Sequence, residues 1–322
     1  MRHVEVNGAR VSAIGLGTWQ FGSREWGYGD DYARQEAVRI LERALELGIN
    51  LIDTAEIYGF GESERIIGRA LGERRKDAFL ATKVFPVMPL APIVEQRGHS
   101  SAARLQTDTI DLYQVHWPNP FVPIGPQMDG MRRLQKAGVV RHVGVSNFSL
   151  AQWQGAERSL GSPVLSNQVR FSLVARKPDQ NLVPYAQAND RLVIAYSPLG
   201  QGLLSAKYDA TNPPTGAARA SNALFLPENL ERAHELINAL RDVAKAHDST
   251  PAQVALAWVI SHGNVVAIPG ASKVSQLESN AAAADLELTS DEIGRLTEAS
   301  DDFRPVQGPA ALPKLLRRRL RF

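Results

Sequence analysis

INLIDTAEIYG (residues 49–59) is the stretch whose reading decides the fold. Its apolar start, INLI, reads as a short buried strand. Acidic, hydroxylic and aromatic side chains then crowd into DTAEIYG (53–59), where a strand gives way to a loop. Two later runs end in the same way. DAFLATK (77–83) closes on Lys83, and IDLYQVHW (110–117) carries His116. In parallel α/β proteins, ligands bind at the C-terminal ends of strands. If these three strands are neighbours in one sheet, Asp53, Tyr58, Lys83 and His116 converge.

Outward from that stretch the pattern repeats without any repeat in letters. IGLGTW (14–19) reads as an earlier core strand, followed by a helix over about 32–47 with Gly48 as its stop. INLIDT leads into ESERIIGRAL. AFLATK leads through a proline-rich loop into a weaker helix near 93–105, where Gly98 interrupts the pattern. IDLYQVH, VRHVGVSN, VLSNQVRF, RLVIAYSP and NVVAIPG complete eight candidate strands. Their centres are mostly about 25 to 35 residues apart, a strand plus a crossover helix. Eight such units imply an α/β fold of the (β/α)8 TIM-barrel kind. An open doubly wound sheet is the alternative, but no GxGxxG turn follows an early strand. Before the first unit, Asn7-Gly8 between alternating runs signals a β-hairpin, separate from the main sheet and placed to cap it. After the last unit come extra helices near 274–284 and 290–300. The stretch 207–225, rich in Gly, Pro and Ala, reads as a mobile surface loop. Residues 1–322 read as a single domain with a loose basic tail from about 303.

Composition narrows the function. A formal net charge of +2 makes no case for nucleic-acid binding. Cysteine is absent, which excludes disulfides, thiolate catalysis and cysteine-ligated zinc. No apolar run approaches the roughly 18 residues that suggest a membrane span, and the N-terminus has no secretory h-region. A cytoplasmic protein without a membrane partner, monomeric or weakly oligomeric, is expected.

The four converging groups suit proton transfer to an oxygen. A lysine ammonium beside a tyrosine favours the phenolate, and an aspartate keeps that lysine charged. A histidine can hydrogen-bond the same oxygen or assist the proton's movement. Singly, each group is more often a loop anchor than a catalyst. Lys83 could also form a Schiff base, as in barrel aldolases, although no companion lysine or carboxylate near it in sequence suits that chemistry. His116 has no HxH or HExxH partner, so no metal site is expected.

These motifs carry a family resemblance. DTAEIYGFGESERIIGRAL, IDLYQVHWP and IPGASKVSQLESN occur in the order found in the aldo-keto reductases, and the likeness runs from about residue 8 to 300. Those are (β/α)8-barrel enzymes that use a nicotinamide cofactor, usually NADPH. The resemblance implies that Asp53, Tyr58, Lys83 and His116 are the catalytic tetrad, with Tyr58 as proton donor to a small-molecule carbonyl. It implies that Ser146, Asn147 and Gln168 hold the nicotinamide carboxamide and that Tyr196 stacks on the ring. Ser197, Leu199, Gly200 and Gln201 fall along the pyrophosphate. Gly270, Ala271, Ser272, Lys273 and Gln276 fall near the 2′-phosphate, Asn280 near adenine, and Gly17, Thr18 and Trp19 are also grouped with the cofactor. Many relatives have lysine and arginine where this chain has Gly270 and Gln276, so NADH is possible beside NADPH. Trp19, Tyr28, Phe85 and Trp117 are candidates for an aromatic substrate pocket. A contrasting implication is a cofactor-sensing regulatory module resembling potassium-channel β subunits.

Overall fold

The computed structural model describes residues 1–21, 30–214, 219 and 222–319, with the side chains of 30–34 and 316–319 excepted. The chain opens with an antiparallel hairpin, β1 (His3–Val6) and β2 (Ala9–Ser12). Its turn is made by Asn7 at φ 45° and Gly8 at φ 76°, the left-handed region that an Asn-Gly pair accepts readily.

Eight parallel strands follow. They are β3 (Leu16–Gly17), β4 (Leu51–Asp53), β5 (Phe79–Val84), β6 (Ile110–Val115), β7 (Val140–Ser146), β8 (Ser166–Arg170), β9 (Leu192–Tyr196) and β10 (Val265–Ala267). Each pairs with the next in chain order. Parallel bridges Ile14↔Ala267 and Gly17↔Gly270 join the last strand to the first. Gly15 N–H donates to Ala267 O at 2.8 Å, and Ala267 N–H to Ala13 O at 2.9 Å, across that seam. The arrangement is the expected (β/α)8 barrel. β3 is shorter than IGLGTW suggests, because the chain turns directly after it, with Phe21 N–H donating to Thr18 O at 2.9 Å.

Alternation along the strands sorts the core. One set, including Ile52, Leu80, Tyr113 and Val193, packs outward against the helices. The other set, including Leu51, Phe79, Leu112 and Leu192, packs inward with Val6, Ala9 and Val11 of the hairpin. Those inward residues sit at strand starts, so the hairpin plugs the N-terminal end of the barrel. Further along the same strands the inward positions turn polar, at Asp53, Lys83, Gln114 and Gln168. Period two therefore gives an apolar plug below and a polar floor above.

The helix Ala91–Arg104 forms despite Gly98, and its neighbour Ile124–Lys136 explains why. A Cβ on Gly98 would stand 2.5 Å from Leu134, and one on Gly130 would stand 2.8 Å from Val94. Glycine is used there for close helix approach. Between β9 and β10 two helices follow one another, Pro227–Arg232 and His234–Ala246. The tail also departs from expectation. Val306 N–H donates to Asn229 Oδ1 at 2.7 Å, Arg232 reaches Arg304 O at 2.8 Å, and a helix runs over Leu312–Arg319. Polar side chains of the Pro227–Arg232 helix anchor what composition alone suggests is loose. Of the expected surface loop, residues 215–218, 220 and 221 lie outside the described residues. No helix among the described residues is long and apolar enough to cross a membrane.

Candidate active site

At the C-terminal mouth, the ends of β4, β5 and β6 bring the four singled-out groups together. Lys83 is fully buried, and its Nζ donates to Asp53 Oδ1 and to Thr54 O, both at 2.7 Å. The ammonium lies 5.1 Å from the centre of the Tyr58 ring. On the other side of Tyr58 stands His116, ring centres 5.9 Å apart and nearly perpendicular. Tyr58 is half-buried, in a tight turn directly after β4 in which Tyr58 N–H donates to Ala55 O.

Burial decides the proton affinities. It works against the charge on Lys83, but Asp53 and Tyr58 outweigh it, and the ammonium ends above its ordinary value. Burial pushes the Asp53 carboxyl up, opposed by Lys83, Gln168 and Gln114. For Tyr58, too, burial dominates. The phenol is raised although Lys83 pulls it down. That corrects the expectation of a net lowering, which weighed the ammonium and not the depth. Burial, helped by the nearby Lys83 charge, lowers His116 to about 3. His116 is thus a neutral imidazole at neutral pH, with its Nδ1 buried and unpartnered among the described residues.

A chain of hydrogen bonds links this cluster to the next strand ends. Gln168 Nε2 donates to Asp53 Oδ2 at 2.7 Å. Ser146 Oγ donates to Gln168 O at 2.9 Å, and Asn147 Nδ2 to Ser146 Oγ at 3.0 Å. Tyr196 O–H donates to Asn147 Oδ1 at 3.0 Å. Asn147 holds φ 63°, and its Nδ2 also reaches His116 O at 3.2 Å. The polar floor is one network from Lys83 to Tyr196. After β9, Ser197, Gly200, Gln201 and Gly202 all have positive φ, and Gly200 and Gly202 N–H groups close turns onto Ser197 O and Leu199 O.

After β10 the chain turns into the helix Val274–Ala282. A Cβ on Gly270 would meet the Gln20 amide at 2.9 Å, and Gln20 Nε2 donates to Ala271 O at 2.7 Å. Gln276 Oε1 accepts from both the backbone N–H and the hydroxyl of Ser272, each at 2.9 Å. Lys273 is exposed at the helix start, and Asn280 is buried with its Nδ2 3.4 Å from Gly270 O. Among the aromatic candidates, Trp19 and Trp117 are 45% and 44% exposed and Phe85 is half-buried, so they are not core packing. Tyr28 lies outside the described residues.

Three neighbours of these groups carry no signal in the sequence. Glu36, from the first helix, accepts from Val274 N–H at 3.2 Å with its side chain 13% exposed. An acid therefore stands at a helix start where residues 268–277 contain none. Arg219 Nε donates to Gln201 O at 2.9 Å, and Asn222 Nδ2 to Gln201 Oε1 at 2.8 Å. All three are brought in across the fold, beyond any local spacing.

Comparison with known proteins identifies relatives of the whole chain. The family model described as the aldo/keto reductase family matches residues 13–301. An uncharacterised oxidoreductase of Mycobacterium tuberculosis is 53% identical over 321 residues, covering 99% of both chains. A methylglyoxal reductase of Escherichia coli is 35% identical over 291 residues, covering 90% of this chain and 91% of its own. Among solved structures, an aldo/keto reductase of Klebsiella pneumoniae in complex with NADP and acetate superposes with a TM-score of 0.77. It is 30% identical, covering 95% of this chain and 96% of its own. The family consists of oxidoreductases that use a nicotinamide cofactor. Matched across nearly its whole length in sequence and in fold, this chain belongs to the aldo/keto reductase family.

Proposed function

We propose that this chain reduces aldehydes or ketones to alcohols with a reduced nicotinamide cofactor, NADPH in preference and NADH also accepted, and that Tyr58 is the general acid. One observation carries the reading. A fully buried ammonium, Lys83, is held between the Asp53 carboxylate and the Tyr58 ring, with a neutral imidazole on Tyr58's other side.

The donor set of the network fits the cofactor. Asn147 and Gln168 each offer an amide donor and acceptor, which a carboxamide requires, beside the half-buried Tyr196 ring. The left-handed turn after β9 and the start of the helix Val274–Ala282 are the kinds of backbone that accept phosphate oxygens. When bound there, a reduced nicotinamide would supply a hydride for the carbonyl carbon.

The chain's own residues then handle the oxygen. The C=O π electrons move onto that oxygen, which takes the Tyr58 proton. Burial keeps Tyr58 protonated beforehand, and the Lys83 charge stabilises the phenolate that is left. Asp53 and Thr54 O fix Lys83 so that its charge is in place at no further cost in reorganisation. His116, neutral at working pH, hydrogen-bonds the carbonyl oxygen without competing as a strong acid. The same geometry disfavours an imine at Lys83, because its amine is held protonated. Loss of NADPH absorbance with a panel of aldehydes and ketones tests the reading. Tight cofactor binding with no turnover across the panel would instead favour a cofactor-sensing module.

A further inference from the structure

Along β8 the inward positions are Ser166, Gln168 and Arg170. The first two find partners inside the barrel. Ser166 Oγ donates to Gln114 Oε1 at 3.2 Å, and Gln168 Nε2 donates to Asp53 Oδ2 at 2.7 Å. Arg170, the next toward the mouth, does not. Its side chain is half-buried and its Nε is fully buried, yet among the described residues the guanidinium has neither a hydrogen-bond acceptor nor a carboxylate. Arg75, Arg104 and Arg191 are half-buried too, and they grip Asp111, Glu64 and Glu157. A buried donor without a partner costs its desolvation, so its presence in a native fold calls for an acceptor that arrives from outside.

The place of Arg170 says what kind of acceptor. It pairs in register with Tyr196 on β9, and Tyr196 lies within electrostatic reach of both Arg170 and Tyr58. Burial keeps the Tyr196 phenol protonated although Arg170 pulls it down. Asp53 and Lys83 cancel each other, and His116 is neutral. Arg170 therefore leaves this group of residues with an uncompensated positive charge, which favours an anion. A cofactor phosphate fits less well. The turns suited to phosphate follow β9, at 197–202, and precede the helix Val274–Ala282. Arg170 stands instead level with Tyr196 and beside Gln168, at the end of the cradle suited to the uncharged carboxamide.

We propose that Arg170 is a specificity residue that takes the carboxylate of the substrate, so that the preferred carbonyls are oxo acids with the carboxylate several carbons from the reacting carbonyl. The planar guanidinium fork matches a carboxylate in two parallel hydrogen bonds. The spacing follows from the strand. Arg170 is two residues past Gln168, a step of about 7 Å, too far for an anion on the carbon next to the carbonyl. The inference rests on the carbonyl-reductase reading of the site and deepens it.

The test has three arms. In the first, kcat/KM with NADPH is measured for 4-oxobutanoate and 6-oxohexanoate, each against its methyl ester. The carboxylate is too distant from the aldehyde to change its reactivity, so a preference reports recognition of the charge. At least one acid should exceed its ester by about 10-fold or more, the scale of one charge-assisted contact. Arg170→Gln should lower that ratio by about 10-fold, and Arg170→Lys, which keeps the charge without the fork, should restore part of it. If both wild-type ratios fall short of that scale, or the ratio is unmoved in Arg170→Gln, the proposal is overturned. The second arm measures NADPH affinity by protein fluorescence. Arg170→Gln should stay within about threefold of wild type, and a loss of about 10-fold or more would give Arg170 to a cofactor phosphate and overturn the proposal. The third arm needs no turnover: calorimetry of 4-hydroxybutanoate and 6-hydroxyhexanoate, each against its amide, with NADPH present. At least one acid should bind about 10-fold tighter than its amide, with that advantage lost in Arg170→Gln. Equal binding of acid and amide overturns the proposal even if aldehydes are reduced. Tighter acid binding with no aldehyde reduced upholds Arg170 as the anion site and sinks the reductase reading.

Discussion

Lys83→Met probes the buried pair that organises the site. The substitution keeps an unbranched chain of similar reach and removes the ammonium. Nζ holds two oxygens at 2.7 Å, Asp53 Oδ1 and Thr54 O, and both lose their donor. Asp53 is 2% exposed, and its carboxylate then rests on neutral amides, chiefly Gln168 Nε2 at 2.7 Å from Oδ2. Breaking a buried pair from one side costs about 3–5 kcal/mol, because a charge is left buried and uncompensated. The cost lies in the orphaned carboxylate, so neutralising it should relieve the loss. Asp53→Asn with Lys83→Met should be more stable than Lys83→Met alone, recovering about 1–3 kcal/mol as a coupling energy. Urea unfolding followed by circular dichroism on wild type, both single variants and the double gives the full cycle. The pH dependence has a definite sign. Lys83 is raised in the folded state above its ordinary 10.5, so its contribution is fully present below that value and fades as pH rises through the folded pKa. Wild type should therefore keep its margin over Lys83→Met up to about pH 10 and lose it above. If the two single losses simply add in the double variant, Lys83 and Asp53 are not coupled and the reasoning fails.

His116, lowered to about 3, remains neutral while the unfolded chain's histidine takes up a proton near 6.5. Stability should accordingly rise with pH between those values, and His116→Gln should flatten that slope. An NMR titration that finds the His116 ring protonating near 6.5 would contradict this. At the helix start, Lys273→Ala should raise the NADPH Michaelis constant about 10-fold or more with the NADH constant little changed, since one charge-assisted contact is worth about 1.5–3 kcal/mol. Equal losses for both cofactors would reduce Lys273 to a loop residue. Glu36→Gln should act oppositely, tightening NADPH binding about 2- to 5-fold, because a carboxylate beside Val274 N–H repels the added phosphate. Cofactor titration by protein fluorescence measures this, and a weaker NADPH complex in Glu36→Gln would refute it.

Much of this architecture is legible in the chain because its signals are local. Asn7-Gly8 specifies its own turn, and period two sorts Leu51 from Ile52 without any knowledge of neighbours. The abrupt change from INLI to DTAEIYG marks a strand end, and the fold does bring Asp53, Tyr58, Lys83 and His116 together there. Other features depend on separate parts of the chain meeting. Gly98 weakens a helix signal until Leu134 is seen occupying the space of its missing Cβ. The tail is tied down by Asn229, some 77 positions earlier. Glu36 reaches Val274 from the other end of the chain, so a search for acids along 268–277 misses it. The Tyr58 proton affinity is the subtlest case. Its charged neighbour is legible from the motif, whereas burial, the larger influence, is a property of the assembled barrel.

The role of Tyr58 is tested most directly by Tyr58→Phe, assayed for NADPH consumption with an aldehyde that wild type reduces and for cofactor affinity by fluorescence. The phenyl ring keeps its place beside Lys83 and His116 and loses only the hydroxyl. Loss of general acid catalysis predicts a fall in kcat of about 10²–10⁴-fold, with the cofactor dissociation constant within about twofold of wild type. Turnover within a few-fold of wild type would show that the proton comes from elsewhere and would contradict the account.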